Sequence, residues 1–527
     1  MSTAPSTAAP PREQWTGQFG FIMSAIGSAV GLGNIWRFPG VAYENGGGAF
    51  LIPYLIALVT AGLPILFLDY ALGHRFRGSA PTVFRRIGGR IGRFTESLGW
   101  FQVAIAFVIG LYYTAIIGWA LSYFVFSFDL RWGDDPTSFL TDEYLQVSEP
   151  GLSTTFVPGV LIPLVFVWVA VIAVLAAGVK KGLERANVIA IPALGVAFLV
   201  LVVRALFLDG AVDGLNALFT PNWAALGDPS VWIAAYSQIF FSLSIAFGIM
   251  VTYSSYRKRR ANLTTPGLVV AFTNCSFELL AGIGVFATLG FFAFQQGTTI
   301  DQLDGITGVG LSFMTFPAIV SQMPGGPLFG CLFFGSLVLA GFTSLISILQ
   351  VVSAGVQEKF GLTSRSAPVV VGAVSAVLSI LLFSTTTGLL ALDVMDEWAN
   401  NIGIEFSAVV VTVLVFWVLR RGRELEYHLN AVSTFKVGRI WLFFVAVLAP
   451  VLLTYMLYER IKDLVLDGYS DMPGWYLATF GWGTIVFCII AAIVLTAFRW
   501  VRSPDEFTPW PPYPPTPTSS ERTEAGA

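Results

Sequence analysis

Long apolar stretches separated by short polar ones dominate this chain. A helix crossing a membrane takes ~20 apolar residues. Twelve such segments can be drawn, at roughly 18–41, 48–73, 98–127, 157–177, 187–208, 231–255, 264–294, 327–357, 367–387, 389–419, 439–459 and 474–499. The boundary between the ninth and tenth, and the ends of the first and sixth, are the least marked. The pattern predicts an all-α polytopic membrane protein with 12 transmembrane helices. The polar positions then set direction. With the N-terminus inside, 24 of the 29 basic residues fall on the cytoplasmic side, as the positive-inside rule requires. Arg85, Arg86, Arg90, Arg93 and the run Arg257-Lys258-Arg259-Arg260 are among them. The opposite loops are acidic, with Asp129, Asp134, Asp135, Asp142, Glu143, Asp209, Asp213, Asp301 and Asp304. Both termini are expected in the cytoplasm and the protein in the plasma membrane.

Residues 1–14 and 501–527 read as disordered cytoplasmic tails, the second rich in proline around Trp510-Pro511-Pro512-Tyr513-Pro514-Pro515. No cleavable signal peptide is expected, because residues 1–14 lack an apolar core. Between the tails, residues 15–420 hold spans one to ten, and 421–500 hold a cytoplasmic loop and spans eleven and twelve. The outer stretches 129–156 and 295–326 are long for simple hairpins. In the second, Gly305, Gly308 and Gly310 followed by Phe313 and Phe316 suggest a structured loop over an outer vestibule.

Composition narrows the class. The chain is 55% hydrophobic and 12% charged, against about 25% charged in soluble domains. Cys275, Cys331 and Cys488 all lie in apolar segments, where free buried thiol is the expectation. The two histidines, His74 and His428, sit in no cluster with metal-ligand spacing. With no nucleophile–base pair either, an enzyme is not expected.

Two spans look broken. Ala25-Ile26-Gly27-Ser28-Ala29-Val30-Gly31-Leu32-Gly33-Asn34 has three glycines in seven positions, each costing ~1 kcal/mol in a helix relative to alanine. In span six, Ser242-Leu243-Ser244-Ile245-Ala246-Phe247-Gly248 interrupts an apolar run. Broken backbone survives in hydrocarbon only where it lines a cavity or binds something. Interruptions at matching places in two five-helix halves point to an inverted repeat, spans 1–5 and 6–10, with discontinuous helices 1 and 6 and a site at the midplane. The half-helix amide end suits a carboxylate, and the loose carbonyls suit a cation. Elsewhere Asn274 and Glu278 share one face of span seven, and Thr343 and Ser344 stand side by side in span eight. Alone, such a hydroxyl pair usually bonds back to its own helix, and the Leu111-Tyr112-Tyr113 run reads as an interior aromatic pair.

After the broken first span come Trp36-Arg37-Phe38-Pro39 and Glu44-Asn45-Gly46-Gly47-Gly48-Ala49-Phe50. Together these motifs resemble the first two helices of the sodium-coupled neurotransmitter and amino-acid symporters. The resemblance implies one sodium site from the Ala29 carbonyl, Asn34, Ser242 and Asn274, with a substrate carboxylate oxygen. It implies a second from the carbonyls of Gly27, Val30 and Ala340 with the hydroxyls of Thr343 and Ser344. The substrate carboxylate would meet Leu32, Gly33, the first sodium and the Tyr113 hydroxyl, and the amino group would meet carbonyls near Ala29 with Ser244. The side chain would face Ile109, Phe241, Ser244, Phe247, Ser344 and Ile348. Gly31 stands where monoamine-carrying relatives have aspartate, which favours a substrate bringing its own carboxylate. Ser242 and Ala246 depart from the threonine and glycine of leucine-transporting bacterial members.

Chloride-dependent relatives have a small residue at position 278 and hold the anion beside Tyr54, Gln238, Ser242 and Asn274. Here Glu278 can replace it, which implies chloride independence, and its protonation on the empty return step implies proton counter-transport. Gates are expected from Arg37 with Asp396 outside, and from Arg12 with Glu358 inside under Trp15 and Tyr256. The expected activity is sodium-driven uptake of a neutral hydrophobic amino acid by alternating access. The alternative is a non-transporting sensor with the same pocket, which would be expected to carry an added signalling domain. The partners implied are the amino acid, sodium and the bilayer, with monomer and homodimer both left open.

Overall fold

The computed structural model describes residues 13–303 and 308–514. Residues 1–12, 304–307 and 515–527 lie outside the described residues, and with them Arg12, Asp304 and Gly305. Among the described residues the secondary structure is helical, with no strand longer than an isolated bridge. Ten helices are long and apolar enough to span a membrane, and the bent pair Gln18–Ala29 and Leu32–Glu44 acts as one more. The pair Pro229–Ser242 and Ile249–Ser255, separated by residues 243–248, completes twelve. Most predicted bounds fall within a few residues of the observed ones: span eight is Gly326–Phe360, span nine Ser366–Phe383 and span ten Gly388–Val418. Span five starts earlier than expected, at Val179.

The two breaks have different causes. Span one opens at Val30 and Gly31, whose backbones are extended, and its halves meet at 56°. Gly27 and Gly33 stand inside the flanking helices. An added Cβ on Gly27 would lie 2.0 Å from the Asn187 amide oxygen, and one on Gly33 would lie 2.0 Å from the Phe241 ring. Those glycines are there for close packing rather than for breaking the helix. In span six, Ser244, Ala246 and Gly248 have φ of +53°, +66° and +90°, a left-handed conformation that two non-glycine residues hold at a cost.

In the connection between spans seven and eight, Phe313 is fully buried among Trp36, Trp119, Tyr123 and Phe334. The 308–322 segment is helical and packs down onto the bundle.

Residues 501–514, in the stretch expected as a tail, lie as a strap over Arg75, Arg85 and Arg86 at one end of the helix bundle. The Asp505 carboxylate accepts two hydrogen bonds from the Arg85 guanidinium, at 2.8 and 2.9 Å. Arg86 donates to the Pro504 carbonyl at 2.8 Å and lies over the Phe507 ring. Arg75 donates to the Pro511 carbonyl at 3.1 Å, and Tyr513 packs on Tyr427. Just upstream, Trp500 donates to Glu96, which also takes Arg85 and Lys359 at 2.7 and 2.6 Å. Proline-rich composition signals the lack of a core, but it does not reveal arginines 400 positions away that fit its carbonyls.

The Arg85 hydrogen bonds hold the Asp505 carboxyl below its ordinary value of 3.8. A depressed value means the clamp is in force above 3.8 and is lost only as pH falls through the lowered value. A spin label at Thr508 is therefore expected to stay immobilised from pH 8 down to about 4.5. Arg85→Glu should free it at every pH, and the swapped pair Arg85→Glu with Asp505→Arg should immobilise it again.

Candidate functional site

A buried chain of polar groups joins three spans beside the first break. The Asn34 side-chain amide donates to the Asn274 oxygen at 2.8 Å, and the Asn274 amide donates to the Ser242 hydroxyl at 3.0 Å. The Gly31 N–H donates to the Asn34 oxygen at 2.9 Å, tying this chain to the opened backbone. Asn34, Ser242 and Asn274 are each at most 2% exposed. These are neutral oxygens of the hard type that suits an alkali cation. Ala29 lines the cavity next to them.

At the same break the Leu32 N–H donates to the Tyr113 hydroxyl at 3.1 Å. The start of the Leu32–Trp36 half-helix thus presents amide hydrogens beside a phenol, an arrangement that favours negative charge. A Cβ on Gly31 would come within 2.9 Å of that hydroxyl. All of the expected substrate residues except Leu32 line one cavity, of about 50 Å³ open to water centres. Ile109, Phe241, Phe247 and Ile348 supply its apolar side. Sequence reading missed Ser28, Tyr112, Asn400 and Ile404, which line it too. Asn400 had a signal available, standing one turn after Asp396 on the same helix face.

The second expected ion site is partly gathered. The Ser344 hydroxyl reaches the Ser28 carbonyl at 3.3 Å, and the Ser244 hydroxyl reaches it at 2.8 Å, so spans one, six and eight converge there. Thr343 bonds back to the Leu339 and Ala340 carbonyls of its own helix at 3.0 Å each. Val30 is the residue at which the first half-helix ends, while Gly27 lies within that half-helix against Asn187. Glu278 is fully buried and accepts from Tyr54 and, at 2.7 Å, from Gln238.

Of the outer pair, Asp396 lines the cavity and accepts from Asn400 at 2.7 Å. Arg37 lies 4.7 Å above the Phe241 ring, and among the described residues no direct ion pair joins it to Asp396. Of the inner group, Trp15 donates to the Tyr253 carbonyl at 2.8 Å and packs edge-on against Tyr256. Glu358 accepts from the Ser79 N–H and hydroxyl at 2.9 and 2.8 Å, and from Thr82. Its expected partner Arg12 is outside the described residues.

The residues that hold the second break were not foreseen. Ala246 sits in the left-handed conformation with both backbone groups tied. Asp69 of span two accepts its N–H at 3.0 Å, while Gln102 of span three and Ser407 of span ten donate to its carbonyl at 2.8 and 2.7 Å. Asp69 lies within the second apolar segment, 48–73, where nothing in the sequence names its partner. Asp69→Ala leaves that buried amide unpaired, which costs ~1–3 kcal/mol. The expected outcome is substrate affinity lowered about 5- to 150-fold, read by equilibrium binding, with a smaller loss for Ser407→Ala because Gln102 still serves the carbonyl.

This combination of twelve apolar helices, two broken spans five apart and a polar cavity at their breaks defines a secondary transporter with its site at mid-membrane. The profile of the sodium:neurotransmitter symporter family matches residues 12–154 and 134–503. A sodium-dependent transporter of Methanocaldococcus jannaschii is 36% identical over 497 residues, 93% of this chain and 99% of that protein. The sodium-dependent serotonin transporter of Drosophila melanogaster is 30% identical over 88% of this chain and 78% of its own length. The structure of MhsT in complex with L-phenylalanine superposes with a TM-score of 0.72 at 30% identity, covering 85% of this chain and all of that one. The chain belongs to the sodium:neurotransmitter symporter family and is a sodium-dependent membrane transporter.

Proposed function

We propose that this protein carries a neutral hydrophobic amino acid into the cell together with sodium, by alternating access. The observation that carries this reading is the cavity itself. The amide end of a half-helix and the Tyr113 hydroxyl stand at one side, the Asn34–Asn274–Ser242 chain stands next to them, and Ile109, Phe241, Phe247 and Ile348 supply an apolar side. A substrate carboxylate at the half-helix would complete the shell of a sodium held by Ala29, Asn34, Ser242 and Asn274. Ion and substrate would then stabilise each other, and that reciprocity couples their transport. A second sodium is assigned to Gly27, Val30, Ala340, Thr343 and Ser344, with Thr343 turning its hydroxyl away from its own helix when the ion binds.

Gly31 supports an amino acid over a biogenic amine: position 31 brings no carboxylate to neutralise an amine at the first break, and the Tyr113 hydroxyl occupies the space a side chain there would need. MhsT, the structural neighbour, is described with L-phenylalanine bound, and an aliphatic or aromatic side chain suits Ile109, Phe241, Phe247 and Ile348. Glu278 supplies the buried negative charge that makes chloride unnecessary, and its protonation on the empty return step exports a proton. Arg37 with Asp396 closes the outer path, and Arg12 with Glu358, under Trp15 and Tyr256, closes the inner one. The termini face the cytoplasm of the plasma membrane.

Uptake of radiolabelled amino acids into proteoliposomes, with and without an inward sodium gradient, tests this. The expected result is sodium-dependent uptake competed by one hydrophobic amino acid. Binding without uptake would replace the transporter reading with that of a sensor, and uptake indifferent to sodium would overturn both ion sites.

A further inference from the structure

Glu405 is a buried acid that the transport reading leaves unused. It follows Ile404, a cavity-lining residue of span ten, and is 4% exposed. One carboxylate oxygen accepts from the Ser237 hydroxyl at 3.1 Å; the other has no hydrogen-bond partner. Among the described residues no cation pairs with it. The charged groups nearest to it are otherwise engaged: Arg37 lies over Phe241, while Arg460 of span eleven pairs with Glu397 of span ten. On span six, Tyr236 is bonded to Thr60. Span three carries no acid or base between Glu96 and Phe126, and span twelve carries none from Gly483 to Ala497.

An ionised carboxylate at membrane depth, with a single hydroxyl donor and no counter-charge, is far costlier than the neutral acid. The neutral acid costs less here: its carbonyl keeps the Ser237 bond, and the other oxygen then holds an unpaired O–H rather than part of a buried charge. Ser237 belongs to the outer half of span six, one turn before the cavity residue Phe241. When that half-helix leaves span ten to admit substrate, the carboxyl loses its donor and meets water.

We propose that Glu405 is a proton-binding site, protonated while the outer half of span six packs on span ten and releasing its proton to outer water when they part. The O–H bond breaks, the proton goes to water on the outer side, and the carboxylate is solvated until closure recaptures a proton. The site is separate from Glu278, and its protonation does not depend on which substrate is carried.

The test uses the full chain in lipid. At neutral pH, infrared difference spectra of Glu278→Gln protein should show the carbonyl stretch of a dry carboxylic acid that vanishes in Glu278→Gln with Glu405→Gln. Ser237→Ala should move that band to higher frequency, which reports on the site even where the glutamine variant folds poorly. In uptake assays on the Glu278→Ser background at saturating chloride, raising outer pH from 6 to 8 should speed turnover several-fold, and adding Glu405→Gln should flatten that profile to within twofold. A spectrum unchanged by both Glu405→Gln and Ser237→Ala overturns the proposal. Loss of uptake in every variant alongside a band assignable to Glu405 would leave the proton site standing and count against the transport reading instead.

Discussion

Asn274→Ala is expected to remove sodium-stimulated uptake. Asn274 accepts from Asn34 and donates to Ser242, so one side chain joins spans one, six and seven at the break. Truncation leaves the Asn34 amide and the Ser242 hydroxyl without their buried partners, at ~1–3 kcal/mol each. It also deletes one oxygen of the proposed first sodium site. The sodium needed for half-maximal uptake should rise at least about tenfold, and the maximal rate should fall roughly 100-fold, which corresponds to about 2.7 kcal/mol in the barrier. Ser242→Thr is the control: it keeps the hydroxyl and adds a methyl, and it should stay within about threefold of the parent, since a conservative change keeps the hydrogen bond. Both variants should elute as the parent does on size-exclusion chromatography. An unchanged sodium dependence in a folded Asn274→Ala protein would remove this residue from the ion site.

The spans and the two breaks were legible because they follow from local rules: apolar length, charge asymmetry and residues that oppose a helix. The reason offered for one break was less accurate. Three glycines marked the place, but the chain opens at Val30 and Gly31, while Gly27 and Gly33 admit Asn187 and Phe241. A glycine in sequence reports a missing side chain without saying whether conformation or proximity requires it. Part of the cavity lining could be named from the family motifs, which relate positions of four different spans to one point, while Ser28, Tyr112, Asn400 and Ile404 could not. Ala246 held by Asp69, Gln102 and Ser407 was not legible, since three partners from three spans share no sequence proximity. The contacts of residues 501–514 were hidden for a related reason. Composition reports whether a segment can form its own core, and this one instead borrows Arg75, Arg85 and Arg86 from the face it covers.

Glu278→Ser is expected to make transport depend on chloride. Glu278 is fully buried, with Tyr54 and Gln238 donating to it, and Asn274 stands one turn before it on the same helix. A sodium bound among Asn34, Asn274 and Ser242 would sit close enough that removing one negative charge leaves the cation under-compensated. At 4 Å and an effective dielectric of 20, two unit charges attract by about 4 kcal/mol. Losing even half of that weakens sodium binding by roughly 30-fold. The serine variant also replaces one methylene and a carboxyl by a hydroxyl, which opens space between three donors: the phenol, the glutamine amide and the Ser242 hydroxyl. A small anion entering there restores both the charge and the hydrogen bonds. Uptake by Glu278→Ser should therefore be low in gluconate, recover with chloride and rise with chloride concentration to a plateau, while the parent responds to neither salt. Inner pH should influence the parent's turnover through Glu278 and lose that influence in the variant, because chloride takes no proton on the return step. A variant that remains inactive at saturating chloride, yet folds and binds substrate, would show that the carboxylate does more than supply charge. If the parent itself required chloride, Glu278 would have to be neutral when sodium is bound, and the assignment of the negative charge to it would be wrong.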